Sequence, residues 1–90
     1  MELLHLITDA DLILQNIKVG DIFGIGSREE YIDDDTLVIA KKWVAKLHDI
    51  GVQSDNPLGK ELCDTWYLNG NRVNRERIER AIEILKQLNQ

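Results

Sequence analysis

The sequence predicts an α+β fold, a compact three-helix domain over residues 1–90 with a small antiparallel β-hairpin or sheet, in an order compatible with a winged-helix-like arrangement. Three observations carry this reading. Segments near 34–50 and 75–88 repeat apolar residues at helical spacing, and an Asn-Gly pair sits between β-forming residues. At 90 residues and 43% hydrophobic, the chain can bury one modest core, and a second would be starved.

Glu2 to Ile7 is short and mostly apolar, compatible with strand or helix. Thr8 has the surroundings of an N-cap. Asp11 follows three residues on, Ile7 and Leu12 occupy the staple positions, and Asp9 and Asp11 suit the positive end of a helix dipole. A helix over about Asp9–Ile17 follows. Gly20 closes that unit, and Asp21 to Gly26 reads as a short strand entering a loop.

The strongest helical segment runs from about Asp34 to Ile50, with Leu37, Ala40, Trp43, Val44 and Leu47 on one stripe. Asp33, Asp34 and Asp35 sit at its N-terminus, where acids are stabilising. Gly51 is placed for a left-handed C′ position, with Val52 making the apolar contact that follows. Gln53 to Lys60, which includes Pro57 and Gly59, reads as a loop. Thr65 to Leu68 and Asn71 to Val73 are strands around Asn69-Gly70, the type I′ signature with φ > 0 at both central residues. Asn74 then caps a helix over about Arg75–Leu88, whose buried stripe is Ile78, Ala81, Ile82, Leu85 and Leu88.

Charge is divided unevenly along the chain. Residues 1–40 hold nine acids and two bases, and residues 41–90 hold nine bases and seven acids, for a net charge of −5. A net-negative protein is repelled by DNA unless a local basic face offsets it, whereas an acidic half suits docking on a basic protein surface. The single cysteine, Cys63, forbids an internal disulfide and suits a reducing compartment. No apolar run approaches the length of a membrane span, and no secretory signal opens the chain, so a cytoplasmic protein without membrane contact is expected.

Catalytic and cofactor signatures are weak. His5, His48 and Cys63 lack metal-ligand spacing, and Asp33-Asp34-Asp35 misses the alternation of a calcium loop. Gly24-Ile25-Gly26-Ser27 lacks the further glycines and the Lys-Ser/Thr pair of a phosphate loop, and Glu29 and Glu30 follow it. Those two acids could form an acid–base pair only inside a pocket the sequence does not advertise. No enzyme, cofactor or metal site is expected.

Two binding surfaces remain. Arg72, Arg75, Arg77 and Arg80 fall within nine residues, and with Lys41 and Lys42 they make the candidate nucleic-acid face. The bland alternative is a salt-bridged helix face, with Glu76–Arg80 and Arg75–Glu79 at i,i+4 spacing. The candidate protein interface joins the acidic residues Glu29, Glu30, Asp33, Asp34 and Asp35 to Trp66, Tyr67 and Ile84. Alternation on a strand sends one of Trp66 and Tyr67 inward and the other outward. Ile84 lies at the edge of the last helix's apolar stripe and is a second candidate contact.

The segment Leu68-Asn-Gly-Asn-Arg-Val-Asn-Arg-Glu-Arg-Ile-Glu-Arg-Ala-Ile-Glu-Ile-Leu85 resembles the wing and following helix of winged helix-turn-helix regulators, in which an arginine-bearing hairpin leads into an Arg/Glu helix. That resemblance covers about a fifth of the chain and implies phosphate contacts from the hairpin and the helix. The preceding segment departs from the pattern, since Pro57 and Gly59 stand where a recognition helix belongs. The expected function is a small non-enzymatic regulatory binding protein. Its partner is either nucleic acid, met by the arginines, or another protein, on which the chain docks as an acidic adaptor or inhibitor.

Overall fold

The computed structural model describes residues 2–20, 29–63 and 66–89. Its elements are α1 (Glu2–Gln15), β1 (Lys18–Gly20), β2 (Glu29–Tyr31), α2 (Asp34–Gln53), α3 (Pro57–Glu61), β3 (Leu68–Asn69), β4 (Arg72–Val73) and α4 (Arg75–Leu88). The fold is α+β, with four helices among the described residues rather than three. The strands form one antiparallel sheet in the order β1-β2-β4-β3. The expected strand over Asp21–Gly26 and the Gly24–Ser27 loop lie outside the described residues.

The first helix begins a full turn and more before the expected start. Leu6, Ala10 and Ile13 are buried at helical spacing, a stripe that passes straight across Thr8. Thr8 is therefore not a cap: its hydroxyl donates to the Leu4 carbonyl one turn back at 3.0 Å. A threonine hydroxyl can be satisfied either way, and the register of the buried residues decides. After Gln15 the chain enters β1, where Val19 stands opposite Glu30 and Gly20 opposite Glu29.

Asp33 caps α2, its carboxylate accepting from the Thr36 amide at 2.8 Å. The helix does not stop at Gly51. It continues to Gln53, Gly51 is buried within it, and Val52 is exposed. Gly51 serves a close approach instead of a left-handed turn. A Cβ at this position would lie 2.8 Å from the Cys63 Cβ and 2.9 Å from the Cys63 nitrogen, so the residues just after α3 can lie against α2.

The expected loop over 53–60 contains α3. Asn56 accepts from the Leu58 amide at 2.9 Å and Pro57 occupies the helix start, where its missing N–H costs nothing. Proline and asparagine, read as loop formers, here open a helix.

The hairpin forms, with a register one residue later than the expected one. Asn69 pairs with Arg72, leaving Gly70 and Asn71 as the two central residues. Gly70 has φ 63°, and no other described residue has positive φ. Glycine at the first central position with normal φ at the second is the type II′ pattern, not type I′. Asn74 caps α4 by accepting from the Arg77 amide at 3.4 Å, and α4 spans Arg75–Leu88 as expected.

The core lies where α1 packs against both α2 and α4, closed by Ile32, Leu62, Tyr67 and Val73 from the other segments. Trp43 is its largest member. The indole N–H donates to the Leu6 carbonyl at 2.9 Å, and the ring meets Tyr67 edge-on at 5.2 Å between centroids. Among the described residues, no helix is long and apolar enough to cross a membrane.

Candidate interaction cleft

The sheet register brings opposite charges together. Arg72 on β4 stands across from Tyr31 on β2, so its diagonal neighbour on the same face is Glu29, two residues before Tyr31. Arg72 Nη2 donates to Glu29 Oε2 at 3.0 Å. Because α4 starts just after β4, Arg75 in its first turn reaches the next carboxylate, and its Nε donates to Glu30. Asn71, at the hairpin tip, donates both to the Ile32 carbonyl at 2.8 Å and to Asp34 Oδ1 at 3.1 Å. The hairpin is thereby pinned to the start of α2.

The two Arg–Glu pairs border an open cleft of about 390 Å³ that Trp66 also lines. Val73, Asn74 and the first turn of α4, including Glu76, line the rest. Trp66 is 55% exposed and makes no ring contact among the described residues. Glu76 is exposed and makes no ion pair among them. The cleft thus presents an open aromatic face, two Arg–carboxylate pairs and one uncommitted carboxylate.

The proposed nucleic-acid residues do not form one face of open cations. Arg72 and Arg75 are engaged as described. Arg80 bridges Glu61 of α3 at 2.9 Å and Glu83 at 3.2 Å. The hydrogen bond from Arg80 holds the Glu61 carboxyl below its ordinary pKa, and the same bond holds Arg80 above its own. The i,i+4 pairs Glu76–Arg80 and Arg75–Glu79 are not the ones formed; the partners come mainly from β2 and α3. Arg77 is exposed in the first turn of α4, and Lys41 and Lys42 are exposed on α2.

The proposed protein-interface residues are also divided. Glu29 and Glu30 line the cleft, and Asp34 holds the hairpin tip. Asp33 is occupied as the α2 cap, and its bonds from Thr36 lower its pKa. Asp35 is exposed. Trp66 faces outward, but Tyr67 and Ile84 do not serve as surface contacts, being 3% and 1% exposed. Tyr67 turns inward and its hydroxyl donates to the Leu62 carbonyl at 2.9 Å, while Ile84 lies in the core cluster to which α1 and α4 contribute. Asn71, Val73, Asn74 and Glu76 are site residues that sequence reasoning missed. Their roles depend on β2 pairing with β4 across some forty residues, for which local periodicity carries no signal.

No protein-family model, no curated protein and no solved structure matches this chain.

Proposed function

We propose that this chain is a small non-enzymatic adaptor or inhibitor that works in the cytoplasm by docking on another protein through the Trp66 cleft. The observation that carries the reading is the contrast between its arginines and its aromatic. Arg72, Arg75 and Arg80 are held by carboxylates from other elements, whereas Trp66 is open. To use Arg72 and Arg75, phosphate would displace Glu29 and Glu30 and then sit beside them. An exposed tryptophan ringed by polar groups is instead the makeup of a protein-interface anchor. The single cysteine fits a reducing compartment.

A photo-crosslinking residue placed at position 66 is expected to capture a protein partner from the native cell type, and one placed at Lys42 to capture far less. Fluorescence anisotropy with duplex DNA and with RNA gives the opposing test. Salt-sensitive binding lost in the Arg75→Ala/Arg77→Ala protein would favour nucleic acid and overturn the docking reading. That second reading draws on the β3–β4 hairpin and on the exposed Arg77.

A further inference from the structure

We infer that the Trp66 cleft takes a cationic side chain, an arginine guanidinium presented by a basic segment of the partner protein. This deepens the docking reading and rests on it. Among the described residues, three acids and two bases line the cleft, and both bases are already paired with two of the acids. The third acid, Glu76, has no ion-pair partner among the described residues, so the charge left to satisfy is negative. The same cleft is lined by the exposed Trp66, whose ring quadrupole attracts cations, and a planar guanidinium can stack on it while donating to a carboxylate.

An anionic side chain fits the same place poorly. It would meet Glu76 directly and could reach Arg72 or Arg75 only by displacing Glu29 or Glu30. Further acids flank the cleft, set against the exposed Arg77 next to Glu76. Asp34 lies at the hairpin tip, Asp35 is exposed beside it, and the chain as a whole carries −5. A basic segment is thus attracted to the net-negative chain before contact.

The test is a titration of the full chain with a blocked arginine–glycine peptide, its citrulline counterpart and its glutamate counterpart, read by Trp66 emission. Citrulline keeps the shape and planarity of arginine and removes the charge. Trp43 is buried and serves as the internal reference, isolated in the Trp66→Phe protein. The arginine peptide is expected to give a saturable change absent from Trp66→Phe, with affinity roughly tenfold above the citrulline peptide. Glu76→Gln is expected to weaken it by up to about fivefold, and salt to weaken it further.

Equal affinity for the arginine and citrulline peptides, or no effect of Glu76→Gln, would overturn the inference. Trp66-dependent binding of the glutamate peptide would overturn it too, yet leave the cleft as a docking site. Failure of all three peptides, with a protein still captured by crosslinking from position 66, would overturn the cation assignment alone. Failure of both experiments would take the docking reading with it.

Discussion

The two tryptophans put one side chain in two environments. Trp43 is 1% exposed, hydrogen-bonded to a helix carbonyl and edge-on to Tyr67. Trp66 is 55% exposed in a cleft among ion pairs. The two are linked, because Trp66 and Tyr67 are adjacent and lead directly into β3, and the two side chains take opposite sides. Once Tyr67 turns inward to Trp43 and Leu62, Trp66 is turned outward. The open aromatic is thus a geometric consequence of the core contact next to it, and burial at one residue sets recognition at the other.

The largest test of that contrast is Trp43→Ala. It removes the biggest buried side chain together with the indole bond to Leu6, and should cost about 3–5 kcal/mol by chemical denaturation. A loss below about 1 kcal/mol would mean the core is not organised around this ring. Gly51→Ala comes next. In an open helix this change stabilises by up to about 1 kcal/mol, but here the new methyl meets the Cβ and backbone nitrogen of Cys63. Overpacking of this kind costs about 1–3 kcal/mol, so a net loss is expected. Cys63→Ala should not rescue it, since the closest atoms remain after the sulfur is gone.

Tyr67 supplies a pH test of the same core. Burial, with Glu61 and Cys63 adding to it, pushes the phenol from 10.0 up to about 12. In the unfolded chain the phenol ionises near 10, while the folded protein keeps its proton. Above pH 10 the unfolded state therefore binds fewer protons and stability falls until the folded pKa is passed. The loss reaches roughly 2 kcal/mol at pH 12. In Tyr67→Phe this alkaline component disappears, against a smaller fixed cost of about 1 kcal/mol for the bond to Leu62. Denaturation midpoints measured from pH 8 to 12 in both proteins separate the two contributions.

Legibility in the sequence follows the same divide. The bounds of the last helix are readable, because Asn74 and the stripe from Ile78 to Leu85 are local signals, whereas the burial of Ile84 is not. Gly51, Pro57 and Thr8 were misread because each residue type has two uses: a turn or a close approach, a breaker or a first-turn former, a cap or a bond to the preceding turn. Only the neighbouring element decides between them. The cleft was readable least. Trp66 and both arginine partners could be named, but the pairing of Glu29 with Arg72 and Glu30 with Arg75 exists only once β2 lies beside β4. From the sequence the four arginines read either as an open basic face or as one paired along its own helix, whereas three of them close ion pairs between elements.

The smallest stability effect should come from Trp66→Ala. The ring is more than half in solvent, makes no ring contact among the described residues, and lies outside the buried cluster. Its removal should change the unfolding free energy by less than about 1 kcal/mol while abolishing docking through the cleft. A larger loss would show that Trp66 covers apolar surface such as Val73 as part of the core, and the division of labour between the two rings would fail. A near-zero loss, together with lost binding of an arginine peptide, would separate them cleanly: one tryptophan for the fold, one for the partner.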